Sequence, residues 1–102
     1  MALGSTSAFR PTGTVSISGG TTSANAALTG GGETVVVTNT SASLAFVRFG
    51  ADSSVSATSA DMPVLPNSRA VLAVNPLIAY AAVVLTAGSG TVYLTRGDGS
   101  VV

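Results

Sequence analysis

The sequence has no cysteine, histidine, lysine or tryptophan, and these absences exclude most catalytic chemistries. Without histidine and cysteine there is no Ser-His-Asp or Cys-His arrangement, and without lysine there is neither a Ser-Lys pair nor a Schiff base. The absence of cysteine also excludes disulfides and thiolate metal sites. We therefore expect a protein that is not an enzyme and that needs no cofactor.

Carboxylates are equally scarce, since the chain has only four acidic residues. All four fall at predicted turns or strand ends, where solvated acids normally lie, so paired-carboxylate catalysis is not expected. Their spacing matches no known calcium loop, and we expect no metal site. These residues are Glu33, Asp52, Asp61 and Asp98.

Charge as a whole is low for a chain of this size. Charged residues make up 8% of the sequence, four arginines balance the four acids, and 46% of residues are hydrophobic. Ordinary globular domains are about 25% charged. So little surface charge protects poorly against self-association. One interpretation is that partners, including further copies of the chain, cover much of the surface; the alternative is that serine and threonine solvate it. The scattered arginines form no basic stripe, so we expect no direct nucleic-acid partner.

Long hydrophobic segments are also missing. The longest apolar run covers residues 76–85, about half of the roughly 20 residues that a membrane-spanning helix needs. Residues 1–13 have neither a basic start nor a continuous apolar stretch, so they do not read as a secretory signal. We expect no membrane partner and synthesis in the cytoplasm. Residues 1–13 are predicted to form a flexible arm, and residues 14–102 a single domain.

The chain does contain a repeated sequence pattern that is typical of β-strands. Short β-branched segments alternate with clusters of Gly, Ser, Asn and Pro every 8 to 12 residues or so, as in a sandwich or barrel. The pattern predicts an all-β, single-domain antiparallel β-sandwich or jelly-roll-like barrel of about eight short strands. The last two strands, joined by "AGSG" at 87–90, are expected to form a hairpin. The predicted strands are 14–18, 23–28, 34–39, 43–49, 62–65, 69–74, 79–86 and 90–96.

The stretch "SLAFVRFG", residues 43–50, places an arginine inside an apolar strand. Side chains alternate along a strand, so Phe46 and Arg48 share one face while Val47 and Phe49 share the other. If Val47 and Phe49 face the core, Phe46 lies outside beside Arg48. Aromatic residues and arginine are the types enriched in interface cores. In this register the pair is a candidate contact site.

Two other interpretations of Arg48 stay open. In the opposite register it would lie at the rim of the core and would need a carboxylate, from Asp52 or Asp61, or carbonyl groups. Alternatively it is an exposed strand-end arginine whose stem covers Phe46.

Three further residues complete the candidate interface. Arg96 ends the segment "GTVYLTR" and shares a face with Val92 and Leu94. Phe9 and Arg10 belong to the predicted arm, which could reach a neighbouring subunit. The candidate interface residues are therefore Phe46, Arg48, Phe9, Arg10 and Arg96.

Two short motifs match known functional motifs, but their sequence context does not favour those functions. The tripeptide "RGD", residues 96–98, matches an integrin-binding motif in what looks like an exposed turn, but tripeptides recur by chance. The glycines of "TGGGE", residues 29–33, are followed by neither Lys-Ser/Thr nor a helix. We expect a flexible turn there and not a phosphate cradle.

The order of several segments resembles a known class of proteins. Residues 33–74 contain "VTNT", "AFVRFG" and "PVLPNS", and "TVYLTRG" follows near the end of the chain. This succession is similar to small structural proteins of tailed bacteriophages and prophages that decorate or cement the virion head. The resemblance implies a β-sandwich or jelly-roll-like module on the capsid exterior that forms a homo-oligomer, often a trimer, and binds the major capsid protein. A tail, baseplate or head-fibre module, or a glycan- or receptor-binding β-sandwich, is also compatible.

Overall fold

The structure, a computed structural model, describes residues 9–75 and 77–99, and these residues form eight β-strands and no helix. The expected all-β sandwich is confirmed, and each predicted strand overlaps an observed one. In the described residues there is accordingly no helix able to cross a membrane. The strands are β1 (Arg10–Gly19), β2 (Ala24–Ala27), β3 (Thr34–Asn39), β4 (Ala45–Gly50), β5 (Met62–Val64), β6 (Ser68–Ala73), β7 (Tyr80–Leu85) and β8 (Gly90–Asp98).

The eight strands divide into two four-stranded sheets. Sheet one has the order β1-β8-β3-β6, and sheet two has the order β2-β7-β4-β5. Every pairing in both sheets is antiparallel. Consecutive strands lie in different sheets at every connection except the one between β4 and β5.

The pairings are nested along the chain. β1 pairs with β8, β2 with β7, β3 with β6, and β4 with β5. The chain therefore runs as a two-stranded ribbon that turns back between β4 and β5, and successive parts of the ribbon alternate between the sheets. Two further pairings, β3 with β8 and β4 with β7, join the parts within each sheet.

The predicted hairpin of the last two strands is wrong. β7 ends at Leu85 in sheet two, whereas β8 begins at Gly90 in sheet one, so their connection crosses the sandwich. Packed sheets lie only about 10 Å apart, which a four-residue loop can span. Gly88 supplies a positive φ of 68° in this loop. A glycine-rich turn suits a hairpin and a crossing equally, so the sequence did not distinguish them.

The core lies between the two sheets and is built from small aliphatic side chains. Its members alternate along each strand with outward residues, as a half-buried strand requires. Phe49 and Leu72 are partly buried and pack against this cluster. The buried members are Ile17, Val35, Val37, Ala45, Val47, Val64, Ala81, Val83, Leu85, Val92 and Leu94.

The predicted arm falls partly outside the described residues. Residues 1–8 are among those not described, but β1 already begins at Arg10, which pairs with Asp98 of β8. The register shifts at a bulge after Pro11 and then continues regularly to Gly19. Part of the segment assigned to the arm is therefore the first part of a sheet strand.

Candidate interaction surfaces

Arg48 lies on the outer face of sheet two. Val47 is 2% exposed in the core and Phe49 packs against the same cluster, which fixes the outward register for Phe46 and Arg48. The Arg48 side chain is 58% exposed. The sequence interpretation in which Phe46 and Arg48 share the outer face is confirmed.

A single carboxylate lies beside Arg48. The Arg48 Nη1 atom is 3.5 Å from Asp61 Oδ1. The other oxygen of Asp61 accepts a hydrogen bond from the backbone N–H of Thr58 at 2.7 Å, so this carboxylate also holds a turn of the preceding loop. Exposed ion pairs of this kind contribute at most about 1 kcal/mol. The guanidinium is thus loosely held and accessible to a partner.

Phe46 belongs to a short apolar row across three strands. Its cross-strand neighbours are Pro63 on β5 and Val84 on β7. Phe46 and Val84 are half-buried, and Pro63 is exposed. We call these three residues, together with Arg48, the Phe46 patch.

A loop covers the remainder of this outer face. Residues 51–61 connect β4 to β5, and Val55 and Ala57 of this loop are buried against Ala82 of β7. Together they form a second, smaller apolar cluster outside the main core. The sequence analysis treated this segment only as a loop. The alternation of Val55 and Ala57 with serine in the sequence does indicate that one side of this loop is buried.

Side chains of β2 and its preceding turn tie the loop down. Asn25 Nδ2 donates to the carbonyl oxygens of Ser53 at 3.0 Å and Val55 at 3.2 Å. The backbone N–H of Ala57 donates to Ser23 Oγ at 2.8 Å. The loop is consequently held in its first half, at Ser53 and Val55, and just past its centre, at Ala57.

Asp52 stabilises the start of the same loop. One of its carboxylate oxygens accepts hydrogen bonds from the Ser54 hydroxyl and from the Ser54 backbone N–H. The hydroxyl bond is the larger cause, and together the two bonds lower the pKa of Asp52 below its ordinary value of 3.8. Asp52 therefore acts as a turn-forming residue and not as a partner of Arg48.

Arg96 is buried, not exposed. It is 4% exposed, and its guanidinium donates to three backbone carbonyls. Arg96 Nε is 3.0 Å from the oxygen of Gly32, Nη2 is 3.3 Å from that of Asn75, and Nη1 donates to Ile78. Hydrogen bonds to carbonyls are what an arginine at the end of a core requires.

This placement corrects the assignment of Arg96 as an interface residue. The sequence correctly placed it on one face with Val92 and Leu94, but that face is the inner one. The arginine of the RGD tripeptide is consequently inside the molecule, and only Asp98 of the motif is exposed. This motif does not present its guanidinium to a receptor.

Phe9 and Arg10 lie at the first described positions of the chain. Phe9 is half-buried and Arg10 is exposed at the beginning of β1. Arg10 pairs with Asp98 in sheet one, whereas the Phe46 patch lies on sheet two. Neither Phe9 nor Arg10 is part of that patch.

The outer face of sheet one carries a single charged side chain among its outward strand residues, a surface that the sequence did not reveal. Tyr93 and Val71 are each 42% exposed there, and most of the surrounding residues carry hydroxyl groups. We call this surface the Tyr93 face. The outward residues of its four strands, among which Arg69 alone is charged, are Thr14, Ser16, Ser18, Thr34, Val36, Thr38, Arg69, Val71, Ala73, Thr91, Tyr93 and Thr95.

Comparison with known proteins gives no relative. No family model, curated protein or solved structure matches the chain. The surfaces of the molecule and the resemblance of its strand sequences are therefore the features that bear on its function.

Neither of two open grooves has the composition of a reaction centre. One, of about 580 Å³, lies where β3 ends and β6 begins and includes Thr38, Ser68 and Arg69. The other, of about 400 Å³, lies between Arg48 and Asp52. Within the described ranges no group of three or more His, Cys, Asp or Glu residues could hold a metal ion.

Proposed function

We propose that this chain is a non-enzymatic structural protein of a tailed-phage virion, a decoration or cement protein that binds the major capsid protein. In this role it forms a homo-oligomer on the capsid exterior and stabilises the head by linking neighbouring capsid subunits. The observation that carries the proposal is the Tyr93 face, a whole sheet surface with one charged residue.

The composition of this face suits protein contact. Exposed Tyr93 and Val71 provide apolar area, and the serine and threonine hydroxyls around them can form hydrogen bonds. Depletion of charge and enrichment of aromatic residues distinguish the centre of an interface from the remaining surface. The Phe46 patch offers a second contact of similar character, with an accessible guanidinium.

The nested strand pairing also supports the proposal. We propose that the sandwich is a jelly roll, because eight strands in two sheets and a folded-back, wound ribbon are features of that architecture. Viral capsid domains use jelly rolls, although lectin domains use them too, so the architecture alone does not assign a function.

The segments that resemble phage head proteins fall on both surfaces. "AFVRFG" is β4 and contributes Phe46 and Arg48, whereas "TVYLTRG" lies in β8 and contributes Tyr93. The alternate residues of these strands form the core. One set of strands therefore combines a rigid scaffold with outward contact residues.

In this mechanism the protein stabilises the shell by binding alone, without a chemical reaction. Each copy would bury uncharged area against capsid protein, and the net affinity of one contact would be modest after desolvation and ordering costs. An oligomer that engages several capsid subunits at once gains affinity through multivalency. Linking the subunits in this way would oppose their separation under internal pressure.

The direct test is the protein composition of purified virions. Mass spectrometry of particles from the phage that encodes this sequence should detect the chain in many copies, and antibody labelling should place it on the head. Labelling confined to the tail, baseplate or fibre would replace the decoration role with the corresponding alternative. Absence of the chain from intact particles would overturn the proposal.

A further inference from the structure

The four sheet edges of the sandwich differ in how they are protected from pairing with other strands. Exposed edges are normally blunted by short strands, prolines or charges. β2 has four residues, β5 has three including Pro63, and β6 carries Arg69. β1 has ten residues; Arg10 and Pro11 stand at its start, and the six residues Thr14–Gly19 beyond the bulge contain neither charge nor proline. This segment is the longest part of the four edges without such protection.

Among the described residues, the adjoining loop covers only the beginning of the β1 edge. Thr12 Oγ1 donates to the carbonyl oxygen of Gly31 at 2.6 Å and accepts from the Gly31 N–H at 2.9 Å. Beyond the bulge, Thr14–Gly19 pairs regularly with β8, which lies on one side of β1. In an edge strand, alternate N–H and C=O groups point away from the sheet and need another partner or water.

The neighbouring surface leaves room for a strand. β2, the edge strand of sheet two that contacts β1, has the sequence Ala-Asn-Ala-Ala. Its side chains are short, and Asn25 is occupied with the loop of residues 51–61. No bulky or charged group of β2 therefore stands beside the open part of β1.

We propose that β1 pairs antiparallel with β1 of a second copy of this chain, across a two-fold axis at Ser16. This pairing would put Val15 opposite Ile17 of the other copy and Thr14 opposite Ser18. Val15 and Ile17 pack into the core whereas Thr14, Ser16 and Ser18 are exposed, so apolar residues meet apolar residues and hydroxyls meet hydroxyls. No charged pair comes together. The segment is self-complementary, as a two-fold interface requires.

Other registers fit less well. A shift by one residue would place inward residues opposite outward ones, because strand side chains alternate. A shift by two would put either Ile17 opposite Gly13, beside the bulge, or Val15 opposite Gly19. Only the axis at Ser16 pairs both apolar side chains and avoids the covered end of the strand.

The pairing has a consequence for the molecular surface. A two-fold axis perpendicular to the sheet would join the two copies of sheet one into a continuous eight-stranded sheet. Both Tyr93 faces would then point the same way and form one surface of twice the area. The inference is independent of the virion role, because it rests on the edge and its sequence alone.

The experiment uses opposite charges at the axis. Ser16→Lys and Ser16→Glu each place like charges directly opposite one another, which should raise the dimer dissociation constant roughly fivefold or more at low salt. An equimolar mixture of the two variants should restore the dimer, because lysine then faces glutamate. Ala73→Lys is the matched control: it adds the same charge to the same face at the opposite edge.

Native mass measured by light scattering over a concentration series gives the outcome. The wild-type chain and Ala73→Lys should reach twice the monomer mass of 9.9 kDa, and each Ser16 variant should dissociate until the two are mixed. Amides within Thr14–Ser18 should exchange more slowly in the dimer. A wild-type monomer at high concentration, a trimer, or a dimer indifferent to both Ser16 variants would overturn the inference. None of these results would alter whether the chain is found in virions.

Discussion

Two arginines of this chain, Arg48 and Arg96, have opposite environments although each lies in the second half of a β-strand. Arg48 is exposed and has one loosely placed carboxylate, whereas Arg96 is buried and donates to backbone carbonyls. Whether the side chain lies on the inner or the outer face of its strand decides the role of each arginine. A contact function suits Arg48, and a structural function suits Arg96.

Replacement of Arg96 should destabilise the fold. We expect Arg96→Ala to lower the free energy of unfolding by about 2–4 kcal/mol, because it removes the buried guanidinium that donates to three partly buried carbonyls. Arg96→Lys should recover only part of this, since one ammonium group cannot reproduce the guanidinium fork. Urea denaturation measures both values. Arg69→Ala, on the exposed outer face, is the control and should change stability by no more than about 0.5 kcal/mol; an equal effect of both alanine variants would contradict the structural role of Arg96.

The lowered pKa of Asp52 predicts how the stability of the folded chain depends on pH. Because its pKa is lowered in the folded chain, its stabilising contribution is present above the ordinary pKa of 3.8 and is lost as the pH falls through the lowered value. Ser54→Ala removes the larger cause and should return the Asp52 pKa towards 3.8. Carbon-detected NMR titration of the carboxyl group measures this shift. An unchanged pKa in the variant would show that the hydroxyl does not control the carboxylate.

At the scale of elements, the sequence predicted the strands better than their connections. Periodic apolar residues determine which segments are strands and which face is inward, as at Val47 and Phe49. The crossing between β7 and β8 depends on which sheet each strand joins, and this is decided by pairings between distant segments. The burial of Arg96 depends equally on carbonyls supplied by remote loops. Such information is absent from any local pattern.

The covering loop of residues 51–61 should behave as part of the fold. Val55→Ser would put a hydroxyl into the small cluster against Ala82 and remove apolar contact, at a cost of about 1–2 kcal/mol. Limited proteolysis should cut the loop faster in this variant. Ser56→Ala, at an exposed position between the two buried loop residues, is the control. Equal cleavage rates in both variants would mean that Val55 does not hold the loop in place.

At the scale of the whole molecule, the Tyr93 face and the Phe46 patch make separable predictions for the proposed assembly on a capsid. Tyr93→Ala and Phe46→Ala should each weaken binding to expanded heads by about 1–3 kcal/mol if the residue anchors a contact. Co-sedimentation with heads that lack the protein measures the loss. Leu77→Ala is the control, because Leu77 is 83% exposed but belongs to neither surface. Unchanged binding by both variants would place the contact elsewhere on the molecule.

The position of β8 also determines when the molecule can take shape during its synthesis. β8 is the last of the eight described strands, yet it lies between β1 and β3 in the middle of sheet one. As the chain leaves the ribosome, β3 can pair with β6, but β1 must wait for β8, which emerges some eighty residues after β1. Pairings between such distant segments form slowly. The chain should therefore fold after its last strand has emerged, and chaperones that shield apolar strands would act during that interval.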